Sequence, residues 1–191
     1  MEEHKFFQKE FICYSTAYLA LQDEKKYNKM CNDMENSDKI IVPSDVLQHL
    51  TLFEVANPII LKISSKRFSK SIYCGILEFT APKHVIYMPQ WMMDNLNIEE
   101  GEKVDVISVF LPKGSLIKLR PLTSLFMELS NPRIVLEYYL KNFVCLHEGE
   151  IITLNYCGHK FPLIIEKIEP THAICINNSD INLELLEYNK I

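Results

Sequence analysis

The chain has 191 residues, of which 48% are hydrophobic and 24% charged, with a net charge of −5. That length suits one full-sized domain or two small ones packed together, with enough apolar material to bury a core unaided. The acidic balance argues against a duplex nucleic-acid binder, which carries a basic face, and no run approaches the ~18 apolar residues of a membrane span.

The opening Met1-Glu2-Glu3-His4-Lys5 is acidic and lacks the apolar stretch of a signal peptide. Residues 22–39 are charged and Asn-rich with little periodicity, which predicts a solvated loop. The chain then turns strand-like at 40–42, 59–63 and 72–79, which are short runs of β-branched and aromatic residues bounded by turn formers. Residues 103–111 alternate, with Val104, Val106 and Val109 set among Asp105 and Ser108. Gly101 and Gly149 each sit in a Glu-Gly-Glu tripeptide before a strand, where a turn with φ above zero is expected.

A weak internal repeat aligns Ile41-Val42-Pro43-Ser44-Asp45-Val46-Leu47 with Tyr87-Met88-Pro89-Gln90-Trp91-Met92-Met93. Each copy reads as a strand, a proline, a helical turn and a further strand. The duplication suggests two interlocked halves closing one small barrel, which removes exposed sheet edges. Met92 and Met93 are expected to pack inside it, as Val46 and Leu47 would, leaving Trp91 (opposite Asp45) exposed.

Past this region the pattern changes. Asn131-Pro132 is a helix start, with Asn as N-cap and Pro in the first turn. Leu136, Tyr139, Leu140 and Phe143 follow on one face, which leaves Tyr138 exposed. Strands are expected at 151–154, 161–168 and 173–176, the first two joined by a hairpin turn at Tyr156-Cys157-Gly158-His159. This is a smaller α+β unit over 122–191, behind a barrel unit over 1–121, with Leu122 to Glu128 as the connection.

Six cysteines occur without C-x-x-C spacing, mostly inside apolar runs. Buried free thiols and a reducing compartment fit this better than a disulfide framework. The six histidines are scattered, so no clustered metal-ligand spacing exists, and no cofactor is expected. Glu99-Glu100 and Glu148-Gly149-Glu150 read as solvated turns rather than catalytic carboxylate pairs. No glycine-rich phosphate loop is present, and no local signature supports a cysteine–histidine hydrolase.

Several ordered blocks together resemble one family. Tyr87-Met88-Pro89-Gln90-Trp91-Met92-Met93-Asp94-Asn95-Leu96 with Glu100-Gly101, and Cys74-Gly75-Ile76-Leu77-Glu78-Phe79, are similar to stretches of the N-terminal domain of the ubiquitin fusion degradation protein one family. So are Asn131-Pro132-Arg133-Ile134-Val135-Leu136-Glu137, Lys141-Asn142-Phe143-Val144-Cys145-Leu146, Lys39-Ile40-Ile41-Val42-Pro43-Ser44 and Asn155-Tyr156. The similarity runs from about Phe11 to about Leu185.

The resemblance implies a mostly β, α+β chain: a double-psi β-barrel followed by a small mixed α/β subdomain. It also implies a non-enzymatic adaptor that binds ubiquitin and polyubiquitin chains and delivers modified proteins to an AAA+ unfoldase of the valosin-containing-protein type. Its co-adaptor would be nuclear protein localisation protein four, in the cytoplasm and nucleus and at the cytosolic face of the endoplasmic reticulum. Family members dock on the unfoldase through phenylalanine-x-glycine motifs in a C-terminal tail, and no such motif occurs among these 191 residues.

Two rival readings share the architecture: the substrate- or adaptor-binding N-domain of an AAA+ ATPase, and a small enzyme on a double-psi barrel. For the adaptor, a ubiquitin-binding surface needs exposed apolar side chains beside acids. Leu125, Phe126 and Met127 next to Glu128, Tyr138 next to Glu137, Tyr156 and Trp91 are the candidates.

Overall fold

The computed structural model describes residues 6–55 and 57–189, so the reading of Met1–Lys5 lies outside the described residues. In chain order, β1 (Gln8–Ser15) leads into two helices, α1 (Thr16–Gln22) and α2 (Glu24–Glu35). Next come β2 (Lys39–Pro43), α3 (Ser44–Leu52), β3 (Ile60–Ser65), β4 (Ser71–Ala81), β5 (Val85–Met88), α4 (Gln90–Leu96) and β6 (Lys103–Val109). The remainder is β7 (Leu116–Pro121), a 3-10 turn (Ser124–Phe126), α5 (Pro132–Leu140), β8 (Cys145–His147), β9 (Ile151–Tyr156), β10 (His159–Glu169), β11 (Ala173–Cys175) and β12 (Asn182–Leu185).

Six strands close a barrel in the order β1-β5-β2-β4-β3-β6, and the internal repeat explains the closure. Strands β2 and β5, which open the two repeats, are neighbours, and Ile41 pairs with Tyr87, the residue aligned with it in the repeat. Exchanging β2 with β5, β4 with β1 and β3 with β6 maps β2–β5 and β3–β6 onto themselves and each other pairing onto one of the same sense: β2–β4 and β5–β1 are both parallel, and β3–β4 and β6–β1 both antiparallel. The molecule is thus a double-psi-type barrel followed by a smaller α+β unit, as the sequence and the resemblance indicated.

The proline after each repeat strand takes the N-cap position of α3 or α4, where its missing N–H costs nothing. Val46, Met92 and Met93 are buried inside as expected, while Leu47 is 46% exposed. Trp91 departs from expectation: it is 4% exposed and stacks on Phe143 of the second unit, 5.9 Å between centroids. The repeat aligned it with half-buried Asp45, but only the second copy is covered by another subdomain.

The segment read as a loop is largely helix α2. It is anchored by the Asp23 side chain accepting from the Lys26 amide, and Cys31 and Met34 are buried against the barrel. Only a narrow stripe of the helix is apolar, which concealed its periodicity. Gly101 (φ +82°) and Gly149 (φ +84°) occupy the left-handed region, as their turns require.

In the second unit the main sheet runs β12-β7-β10-β9, beside the two-stranded β11-β8. Strand β7 pairs with β10 and β12, so the second sheet begins at Leu116, earlier than the connection expected from 122. Asn131 caps α5 by accepting from the Ile134 amide at 3.3 Å, and Tyr156 pairs with His159 across the two-residue Cys157-Gly158 turn. Among the described residues, no helix is long and apolar enough to cross a membrane.

Candidate functional site

Asp38, at the entry to β2, joins the two units. It is fully buried, and its carboxyl accepts the Val144 amide at 2.9 Å, the Cys145 amide at 2.8 Å and the Cys145 thiol at 3.3 Å. Burial pushes the Asp38 pKa up to about 7 against the downward pull of those donors. Beside it, Glu150 is 1% exposed and His147 bridges the units, with Nδ1 2.7 Å from Glu150 Oε2 and Nε2 3.0 Å from the Ser71 carbonyl. Both ring nitrogens therefore face acceptors, the arrangement of an imidazolium. Burial opposes that charge, but Glu150 and the Ser71 carbonyl outweigh it and raise the His147 pKa.

Gly75 on β4 allows the contact itself: a Cβ there would meet Val144 Cγ2 at 2.7 Å. Two asparagines complete the junction by hydrogen-bonding the outer edge of β9. Asn95 of α4 donates to the Ile151 carbonyl and accepts its amide, while Asn36 accepts the Asn155 amide. The Tyr139 hydroxyl donates to the Asn155 carbonyl.

Along this junction runs a groove of about 380 Å³, lined by Asp33, Asn36, Lys39 and Leu77 from the barrel side and by Tyr138, Tyr139 and Asn142 from the other. Tyr138 is 66% exposed and stands edge-on to Tyr139. Burial, followed by the neighbouring Tyr138, Cys157 and Tyr156, raises the Tyr139 pKa.

The five residues singled out in the sequence divide accordingly. Tyr138 lines the groove, whereas Tyr156 (37% exposed), near Tyr139, and Leu125, exposed on the 3-10 turn, do not. Phe126 is fully buried, edge-on to Phe161 at 5.5 Å, and Trp91 is buried as described. Neither can serve as a surface contact. Both fill the seams of the second unit, a role that looks identical to an exposed aromatic in sequence.

Sequence reasoning missed Leu77 and the α2 wall. Leu77 lies in the continuous apolar run Gly75-Ile76-Leu77, which hides the side it faces, and the wall came from the supposed loop. Among the described residues no group of three or more His, Cys, Asp or Glu could hold a metal.

Two family models cover nearly all of the chain: "Ubiquitin fusion degradation protein UFD1, N-terminal subdomain 1" matches residues 7–112 and "N-terminal subdomain 2" matches 113–188. The chain is 34% identical over 178 residues to the human "Ubiquitin recognition factor in ER-associated degradation protein 1", covering 93% of this chain and 56% of the relative. It is 35% identical over 153 residues to the "Ubiquitin fusion degradation protein 1 homolog" of Dictyostelium discoideum (80% and 46%). With "Ubiquitin fusion degradation protein 1" of Saccharomyces cerevisiae it shares 30% over 178 residues (92% and 48%). The chain spans about half the length of the curated relatives it matches. Two matched subdomains in their proper order, on a barrel and an α+β unit joined as described, place the chain in the ubiquitin fusion degradation protein 1 family.

Proposed function

We propose that this chain is a non-enzymatic adaptor domain that binds ubiquitin through the junction groove and holds ubiquitylated proteins for an AAA+ unfoldase, with a co-adaptor of the nuclear protein localisation protein four type. The carrying observation is the exposed pair Tyr138 and Leu77 on opposite walls of one groove, with Tyr156 near Tyr139 but outside the lining. Exposed aromatics gathered in one place mark contact surfaces more reliably than scattered ones. The names of the relatives, a recognition factor and degradation proteins rather than enzymes, support the same reading. The net charge of −5 favours encounter with a basic rim around an apolar patch. Such a contact is weak for one ubiquitin and gains by avidity along a chain.

The test is an NMR titration of the labelled chain with mono-ubiquitin and then tetra-ubiquitin. Shifts are expected at Leu77, Tyr138 and Tyr156, with tighter binding to the chain. Tyr138→Ala should weaken binding about tenfold, the effect of losing one interface anchor worth about 1.4 kcal/mol. Absence of shifts at millimolar ubiquitin, or shifts confined to another face, would overturn the assignment.

A further inference from the structure

The two walls of the junction groove are held with unequal firmness. The barrel-side wall ends in the stretch Glu35 to Asp38, and three of these four residues bond other elements. The Glu35 carboxylate accepts the Thr16 hydroxyl of α1 and, at 2.8 Å, the Gln90 amide at the start of α4. Asp38 accepts the Val144 and Cys145 amides, and its own carbonyl accepts the Gly75 amide at 2.9 Å. Asn36, between them, therefore stands on a fixed length of chain.

The opposite wall is α5, and it lacks such anchorage. Only Leu136 and Tyr139 of its nine residues are buried, and apolar packing is non-directional. Its Arg133–Glu137 pair and its Asn131 cap are local. Among the described residues, α5 makes one side-chain hydrogen bond to another element: the Tyr139 hydroxyl donates to the Asn155 carbonyl on β9.

Asn155 is gripped from the other side as well. Its amide and its side-chain Nδ2 both donate to Asn36 Oδ1, at 3.1 and 3.2 Å, and Asn36 Nδ2 donates to the Asn32 carbonyl at 3.2 Å. Donor and acceptor ends of the Asn36 amide are thus both engaged, which fixes its orientation. Asn36 and Tyr139 line the groove from opposite sides, while Asn155 is outside the lining. One residue of β9 ties the two walls together. Tyr138 precedes Tyr139 in the helix and stands edge-on to it with centroids 5.5 Å apart. A turn of α5 that moves Tyr139 therefore carries Tyr138 relative to Leu77 on the fixed wall.

We propose that Asn36, Asn155 and Tyr139 form a latch that sets the opening of the groove, and are positioning residues for the ubiquitin contact made by Tyr138 and Leu77. The role rests on the ubiquitin reading of this groove; the latch itself rests on the hydrogen bonds alone. With the latch closed, α5 presents Tyr138 at one distance from Leu77. With it broken, the helix keeps its apolar anchor at Leu136 but turns on it, and binding must first restore the distance.

Tyr139→Phe is the decisive variant, because it deletes one oxygen facing Asn155 and leaves the ring that lines the groove. Asn36→Ala breaks the other half. Amide residual dipolar couplings of the ubiquitin-free chain report the orientation of α5 against the barrel, and titration with tetra-ubiquitin reports affinity. In the wild type, the couplings of α5 and of the barrel should fit one alignment frame. In either variant those of residues 132–140 should depart from it, with the barrel unchanged. Affinity for tetra-ubiquitin should fall about fivefold in Tyr139→Phe, the worth of one net hydrogen bond. The double variant should bind no more than about twofold weaker than the worse single one, because each change opens the same latch. A merely structural bond would lower the unfolding temperature and move neither the couplings nor the affinity. Unchanged couplings in both variants, full additivity of the two losses, or altered couplings with unchanged affinity would overturn the proposal. If the wild type itself binds no ubiquitin, the functional reading of the groove fails instead, and the couplings alone decide the latch.

Discussion

Replacing Asp38 with alanine tests the junction most directly, because two opposing effects scale differently with pH. Removing the carboxyl orphans two buried amides, Val144 and Cys145, at about 1–3 kcal/mol each. Against this, the wild-type protein bears the cost of a buried acid. With a folded pKa of about 7 against an ordinary 3.8, the native state holds an extra proton between those values. Stability therefore falls as pH rises through that window. Between pH 5 and pH 7 this amounts to about 2–3 kcal/mol at about 1.36 kcal/mol per pH unit. The variant lacks this loss. Urea unfolding followed by fluorescence should show Asp38→Ala less stable by about 3–5 kcal/mol at pH 5, and by about 2 kcal/mol less than that at pH 8. The imidazolium of His147 also contributes stability that fades as pH rises, but it is present in both proteins and cancels in the difference. An equal loss at the two pH values, or a larger one at pH 8, would refute the reasoning.

Three further outcomes can be checked with simple measurements. Gly75→Ala drives a methyl into Val144, a β-branched side chain held between the units, and should cost about 1–3 kcal/mol by thermal unfolding. Asn131→Ala removes the cap of α5 and should cost about 1 kcal/mol, with Asn131→Ser recovering most of it. Five of the six cysteines are buried and only Cys157 is exposed, so a thiol reagent should consume one equivalent rapidly in the native protein and all six only in denaturant.

The barrel was legible in the sequence because it is built twice. The strand–proline–helix pattern at Ile41-Val42-Pro43 and Tyr87-Met88-Pro89 reports backbone geometry shared by both copies, and their spatial pairing at Ile41 and Tyr87 repeats the sequence alignment. Helix α5 was legible through its cap and spacing, as was the exposure of Tyr138. Elements with one-sided or partial burial were not. Helix α2 buries only Cys31 and Met34 of twelve residues, too few for a periodic signal, and β7 follows β6 so closely that nothing local assigns it to another sheet. For Trp91 and Phe126 the obstacle was different. Exposure of an aromatic depends on what packs over it from distant sequence, and the covering residues, Phe143 and Phe161, lie 52 and 35 positions away.

The two units share an apolar seam, with Trp91 stacked on Phe143, and polar groups fasten it at set points. Hydrophobic burial is non-directional and tolerates sliding, whereas each net hydrogen bond contributes only about 0.5–1.5 kcal/mol but demands a set geometry. Asp38 on paired amides, Asn95 on both polar groups of Ile151, and His147 between Glu150 and Ser71 together define one relative placement of barrel and second sheet. Breaking the Asp38 or His147 contacts strands a buried donor or charge, so intermediate placements are disfavoured out of proportion to the strength of each bond. The junction groove has one wall on each unit, and its width depends on that placement. An adaptor that recognises weakly and often loses affinity to every degree of freedom it must order on binding. A junction fastened by directional bonds removes that cost in advance, and it gives a physical reason for the buried acid at Asp38 despite its penalty at neutral pH.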